Sequence, residues 1–262
     1  MATTLTQILE TTRASLSALR ARAADLERAA ARAPSPPSFR AVFVPDRLAL
    51  VAEVKRKSPS AGAIRESLDP AERADRYARH GAAAVSVLTD GPFFGGSLHD
   101  LEAVAARVSL PILRKDFILD EAQILEARAA GASAVLLIVR ALPGRRLLEL
   151  LGFAWAAGLD ALVEVHTAAE LDAALTAGAK LIGINSRDLD TFRIDVAAAW
   201  SLLGAVPRDR IAIAESGMTT VADVERAAAA GADGVLVGTA LSAAEDPAAQ
   251  VGAFAGVRRR GR

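Results

Sequence analysis

Short apolar runs that end in a polar or charged residue recur along the chain, with room for a helix between them. Ala49–Glu53 leads to Lys55, Pro111–Arg114 to Lys115, and Ala161–Val163 to Glu164; Leu181–Ile184 leads to Asn185 and Ile211–Ala214 to Glu215. A second pattern joins each run to what precedes it. Glycines at 81, 131, 158, 178 and 231 are each followed by a small, polar or apolar spacer and then an apolar stretch. Such a glycine stops a helix by adopting the left-handed conformation just past its end. The near-continuous apolar run that follows suits a strand buried on both faces. Counted together, the pattern predicts eight strands alternating with helices. One of these helices opens at Glu121, with Asp120 as N-cap and Gln123 at capping-box spacing.

Eight alternating units predict an α/β protein, a (β/α)8 TIM barrel, with chemistry collected at the carboxyl ends of its strands. An open doubly wound sheet would carry a glycine-rich turn after its first strand, and Lys55–Ser60 is no such turn. Leu5, Ile8, Leu9, Leu16 and Leu19 fall at helical spacing before prolines at 34, 36 and 37 break the pattern. The expected organisation is therefore an N-terminal helical extension over 1–47, packed on a catalytic barrel over 48–262.

Composition narrows the partners. Lys+Arg and Asp+Glu both number 31, so no overall charge attracts nucleic acid or an anionic membrane. The basic residues at 258–262 read as a solvated terminus. Without cysteine there are no disulfides or thiolate metal sites, which fits a reducing, cytoplasmic location. The N-terminus lacks the apolar core of a signal peptide, and no apolar run approaches the ~20 residues that span a bilayer. The expected partner is a small phosphorylated molecule, with neither membrane nor nucleic acid; a monomer is expected and a dimer left open.

Strand alternation sorts the candidate chemistry. Val51, Glu53 and Lys55 share one face of the first strand. Burying the two charges against a helix would be costly without partners, so they are expected to point into the barrel mouth. The same count turns Lys115, Glu164, Asn185 and Glu215 inward. A structural ion network could fill that mouth, but six polar groups gain little stability there unless they work. Glu215–Gly217 after strand seven and Gly238–Thr239 after strand eight sit where barrel enzymes often hold phosphate on backbone N–H groups. His80, His99 and His166 have no metal-ligand spacing and read as surface or helix-end residues, and no metal or other cofactor is expected. Trp155 and Trp200 read as packing residues. The Phe93–Ser97 stretch reads equally as a turn with an anchor or as a cover over a flat ring. Lys115 is expected to give up its proton near neutral pH, because Lys55 and partial burial both disfavour a second positive charge.

Six stretches, in order, resemble the indole-3-glycerol phosphate synthase family: Glu53–Ser60, Leu113–Ile118, Leu162–His166, Gly183–Leu189, Ala214–Gly217 and Leu236–Thr239. The resemblance runs from about residue 39 to 242 and weakens in the N-terminal helices. Ala61, Gly95 and Arg140 depart from its usual pattern. It implies a carboxy-lyase of tryptophan biosynthesis that converts 1-(2-carboxyphenylamino)-1-deoxyribulose 5-phosphate to indole-3-glycerol phosphate by ring closure, decarboxylation and dehydration. By the resemblance, Lys115 is the first general acid, and Glu164 and Lys55 serve the later acid–base step. Glu53 and Glu215 orient them, while Asn185 and Arg187 hold the anthranilate carboxylate. Ser58 joins the substrate site, and Phe94, Phe117, Leu136, Leu189 and Leu236 form its apolar slot. Ser216, Gly217, Gly238 and Thr239 hold phosphate. The rivals are phosphoribosylanthranilate isomerase, a Schiff-base aldolase using Lys55 or Lys115, and a catalytically dead barrel serving as a scaffold. The isomerase needs a cysteine that this chain lacks.

Overall fold

A computed structural model describes residues 4–44 and 46–261. Eight parallel strands close into a barrel in sequence order, the first (Ala49–Val54) pairing with both the second (Ala84–Leu88) and the eighth (Gly234–Val237). The others are Ile112–Lys115, Ala134–Ile138, Asp160–Val165, Leu181–Asn185 and Ile211–Glu215. All five glycines of the recurring pattern have positive φ, between 77 and 102°. They sit one residue past the C-caps His80, Ala130, Ala157, Ala177 and Ala230. The helix-to-strand turns are therefore where the apolar pattern put them.

Register converts this topology into a site. Glu53 lies opposite Ser86, Glu164 opposite Gly183, and Asn185 opposite Glu215. The polar residues gather at the carboxyl ends of their strands, and the apolar core includes Val51, Leu113, Leu162 and Ile213, each two positions before one of them.

The opposite end is sealed by the chain that leads into the barrel. Phe39 is fully buried and meets Phe43 edge-on, with ring centroids 5.7 Å apart. Phe43 covers Gly234 at the start of strand eight, where a Cβ would come within 2.6 Å of its ring. Asp160 pins the same turn by accepting from the Arg40 N–H at 2.9 Å. Burial of an aromatic ring of this size contributes roughly 1.5–3 kcal/mol. Helices Leu5–Arg20 and Ala23–Arg32 pack on the helix Glu121–Ala129, with Leu5, Ile8, Leu9 and Leu16 in the common core and Leu19 half-buried.

Two local expectations change. Asp120 does cap its helix, accepting from Ala122 N–H, but Gln123 does not close a capping box. Its amide instead accepts from Leu119 N–H and donates to the Phe117 carbonyl, which pins the loop that carries Phe117. Trp155 is 43% exposed rather than packed, whereas Trp200 is half-buried with Arg226 over its ring.

Candidate active site

The carboxyl ends of the strands surround a cavity of ≈ 270 Å³. All the residues singled out from the sequence line it: Glu53, Lys55 and Ser58; Phe94, Lys115 and Phe117; Leu136 and Glu164; Asn185, Arg187 and Leu189; Glu215, Ser216 and Gly217; Leu236, Gly238 and Thr239. The alternation argument succeeds because a parallel barrel offers its inward positions only one open end.

Strand one supplies an ion pair, Lys55 Nζ to Glu53 Oε1 at 2.8 Å. Ser86 donates to the other Glu53 oxygen at 3.3 Å. The strand end is fixed by Ser242, which accepts from Lys55 N–H and donates to the Glu53 carbonyl; Tyr77 donates to that same carbonyl. Ser242 and Tyr77 carry no sequence signal, because their role depends on contacts from remote parts of the chain. Gly238 is needed here for more than a phosphate. A Cβ on it would collide with Glu53 Oε1 and lie 2.9 Å from Lys55 Nζ. Gly183 makes equivalent room for the Glu215 carboxyl.

Lys115 reaches across from strand three to two acids, 3.2 Å from Glu164 Oε2 and 3.5 Å from Glu215 Oε2. Burial works against its ammonium, but Glu164, Glu215 and Glu53 outweigh burial and raise its pKa. The expectation of a lysine poised near neutral pH is therefore corrected: the neighbours that decide its charge are three carboxylates, while Lys55 is paired with Glu53. Burial and then Glu164 push Glu215 well above the usual carboxylate range, despite Lys115. Burial also opposes the Glu164 carboxylate, yet Lys115, His166 and Asn185 hold its pKa below the usual value. Two acids at one ammonium thus titrate as a pair, with Glu164 the more acidic member and Glu215 the less acidic.

Asn185 Oδ1 accepts from Arg187 N–H at 3.0 Å, which turns its amide donors toward Glu164. The apolar wall includes Phe94 and Phe117, with ring centroids 6.1 Å apart at 40°. Phe94 closes a helical turn, Gly91–Phe94, capped by Asp90, so it is both a turn anchor and a cavity wall. Lys57–Ser58 and Gly62–Ala63 form a small hairpin over the first strand, a feature with no apolar signature. Ser216 has φ 66° and Gly217 φ 74°, so the chain after strand seven turns sharply at the cavity edge. A non-glycine residue held at positive φ costs about 1–3 kcal/mol and persists where the surrounding structure fixes it.

His166 departs from expectation. It precedes a helix, but its side chain is only 4% exposed, between Glu164 and Glu170. The strand parity that selects Glu164 also selects His166, two positions on. Arg140 ties the turn after strand four to Glu170 at 3.0 Å and to Asp188 at 3.0 Å, beside Leu189. Among the described residues no group of three or more His, Asp or Glu is placed to hold a metal ion.

A parallel barrel with buried, mutually coupled acids and lysines around one mouth defines an enzyme of acid–base chemistry. The profile of the indole-3-glycerol phosphate synthase family matches residues 5–254, and the chain belongs to that family. The match takes in the N-terminal helices, so the family likeness extends further than the motifs alone indicated. The chain is 46% identical over 252 residues to the indole-3-glycerol phosphate synthase of Desulfosudis oleivorans, covering 94% of this chain and 96% of that protein. It is 52% identical over 229 residues to that of Leifsonia xyli subsp. xyli, covering 87% and 88%. Among solved structures, 3-hexulose-6-phosphate synthase superposes with a TM-score of 0.61 at 17% identity, covering 79% of this chain and 98% of that one. Thiamine phosphate pyrophosphorylase from Pyrococcus furiosus gives 0.59 at 18%, covering 79% and 93%. At such identity these two speak for the fold alone. Among the described residues no helix is long and apolar enough to cross a membrane.

Proposed function

We propose that this cavity carries out the family's reaction, converting 1-(2-carboxyphenylamino)-1-deoxyribulose 5-phosphate to indole-3-glycerol phosphate, with Lys115 as the acid of ring closure and Glu164 as the acid–base group of dehydration. The observation that carries the reading is the Lys115 ammonium held between Glu164 and Glu215 beneath an apolar slot. As the electron-rich ring carbon attacks, the ketone oxygen becomes an alkoxide-like base and takes the Lys115 proton. A raised pKa suits this step. The lysine stays charged across the working range and releases its proton only to a base that exists in the transition state.

Loss of carbon dioxide then restores aromaticity in the benzene ring. Asn185 and Arg187, which line the cavity, hold the departing carboxylate out of the ring plane. Dehydration follows, and it needs an acid for the hydroxyl and a base for the adjacent proton. Glu164 and Lys55 serve this step, with Glu53 and Glu215 orienting them. Phe94, Phe117, Leu136, Leu189 and Leu236 wall the aromatic ring, and Ser58 lines the same site. Backbone N–H groups around Ser216, Gly217, Gly238 and Thr239 receive the phosphate dianion. We take the monomer as the working unit, with a dimer as the alternative, and the cysteine-free composition fits the cytoplasm.

A Schiff-base lysine must spend time as a free amine. Lys115, between two acids that raise its pKa, is set against that state. Incubation with the carboxyphenylamino substrate should yield indole fluorescence and carbon dioxide in equal amounts. Borohydride should trap no adduct with a ketose phosphate. A trapped adduct without indole would replace this reading with the aldolase.

A further inference from the structure

Arg187 stands on the loop that follows strand six, and the shape of that loop decides where its guanidinium lies. Its Nη1 donates to the Phe192 carbonyl at 3.2 Å, the only hydrogen bond its side chain makes among the described residues. Phe192 is held at φ 56°, a left-handed conformation that a bulky residue keeps only where its surroundings impose it. Asp188 imposes it. Its Oδ1 accepts from the N–H groups of Asp190 and Thr191 at 3.1 and 2.8 Å, and from the Thr191 hydroxyl at 2.8 Å. Its backbone closes the same turn, accepting from Phe192 N–H and donating to the Arg193 carbonyl, both at 2.9 Å. The turn is wound on one carboxylate, and it ends by setting a carbonyl on Arg187.

Arg140 anchors that carboxylate from outside. It follows strand four, and its Nε donates to Glu170 Oε1 at 3.0 Å while its Nη1 reaches Asp188 Oδ2 at 3.0 Å and Asp190 Oδ2 at 3.4 Å. Glu170 is fixed in turn by the His166 N–H at 2.7 Å. Three successive barrel units thereby meet on one planar fork of donors, a geometry that the point charge of a lysine does not reproduce. Arg140 and Asp188 are only partly buried, so their ion pair adds little stability. What it fixes is position. Neither residue lines the cavity, whereas Arg187 does. Burial lowers the Arg187 pKa against the pull of Glu53, and a half-buried cation bonded to a neutral carbonyl gains most from an incoming anion.

We infer that Arg140 and Asp188 are positioning residues for Arg187: their ion pair sets the turn that fixes its guanidinium in the cavity, and through it the preference for a substrate whose aromatic ring bears a carboxylate. Without Arg140 the Asp188 turn loses its tie to the two preceding barrel units. The Phe192 carbonyl then no longer holds Arg187 in one place, and recognition of the carboxylate weakens while the rest of the cavity is left as it was.

The inference rests on Arg187 as a holder of the carboxylate, and two ligands separate the claims. Both are the proposed substrate with its ketone reduced to an alcohol, so that neither reacts; one carries the ring carboxylate and the other lacks it. Calorimetric titration gives the dissociation constant of each. The native protein should prefer the carboxylated ligand, and Arg187→Ala should lose most of that preference. Arg140→Ala should reduce it about tenfold, with the ligand lacking the carboxylate bound within about twofold of the native value. Arg140→Lys, which keeps the charge but not the fork, should show a smaller loss of the same kind, and it reads the effect even where the alanine variant folds poorly. Asp188→Asn leaves an oxygen for the turn and removes the charge, so it should resemble Arg140→Ala and add nothing to it in the double variant. Equal weakening of both ligands in the Arg140 variants, or no weakening of either, would overturn the inference. If Arg187→Ala keeps the full preference, the reading of Arg187 fails and the inference with it. If Arg187→Ala loses the preference while both Arg140 variants retain it, only the inference fails.

Discussion

Arg114 and Lys115 are neighbours on one strand, both largely buried and both surrounded by acids, yet they belong to different kinds of site. Arg114 points outward, between the barrel and its helices. Its guanidinium reaches Asp116 at 3.0 Å, Glu126 at 2.9 Å, the Gln123 carbonyl at 2.9 Å and the Thr89 hydroxyl at 3.1 Å. The rigid fork of donors is used up in four directions. Lys115 points inward, and its two acids each keep a buried oxygen without a hydrogen-bond partner, Glu164 Oε1 and Glu215 Oε1. Among the described residues no member of the Arg114 group has such an atom. Burial and charge are common to both clusters, so they do not distinguish function from structure. What distinguishes them is that the inner cluster leaves a carboxylate oxygen of each acid unpartnered and opens on a cavity, while the outer one is saturated.

The largest expected effects come from splitting this pair by mutation. Lys115→Ala should lower kcat of the folded protein by about 10²–10⁴-fold, the usual worth of a general acid, and should also cost stability by stranding Glu164 and Glu215. Arg114→Ala should cost about 3–5 kcal/mol by stranding Asp116 and Glu126, while kcat of the folded protein stays nearly unchanged. Steady-state kinetics and thermal melts on the two proteins check this, and a stable, inactive Arg114→Ala would erase the distinction.

The next effect concerns Gly238. If it served phosphate alone, Gly238→Ala would be mild and Gly238→Asp would raise KM. Because any Cβ there presses on Glu53 and Lys55, Gly238→Ala should already lower kcat, by about tenfold on the scale of small misplacements in active sites. Gly238→Asp should add the rise in KM. An alanine variant with normal kcat would show that the Glu53–Lys55 pair yields without consequence.

Acid–base titration sharpens the comparison further. Lys115 has a raised pKa, so its proton is retained as pH climbs past the ordinary lysine value, and no alkaline loss of kcat should begin below about pH 10. The linkage has the same sign: the extra stability from the Lys115 contacts is fully present below the unfolded lysine's pKa and is lost only as pH rises through the higher folded value. A kcat limb near pH 8 would mean that the ammonium is not held as described. The smallest effect is none at all: two ammonium groups already supply positive charge at the mouth, so activity should survive exhaustive chelation. Loss reversed by a divalent metal would contradict that.

Much of this was legible in the chain. Strand ends show as apolar runs stopped by charge, and parity alone turns Glu53, Lys115, Glu164, Asn185 and Glu215 to one side. Proximity across the barrel is not legible. The charge on Lys115 depends on Glu164 and Glu215, which lie 49 and 100 positions away in the chain, and intuition from its cationic neighbour Lys55 gave the wrong sign. His166 was within reach of the parity argument but had no metal spacing to attract notice. Ser242 and Gln123 were not, because hydroxyl and amide side chains declare their partners only once the loops are folded.

The central claim is that Lys115 acts before carbon dioxide leaves and Glu164 after it. Rapid-quench measurement of both products in a single turnover tests it directly. Lys115→Ala should release neither carbon dioxide nor indole. Glu164→Gln should release carbon dioxide in its first turnover while indole appears slowly, exposing a decarboxylated intermediate that still carries its hydroxyl. Equal suppression of both products in Glu164→Gln would contradict the separate, later role of that glutamate.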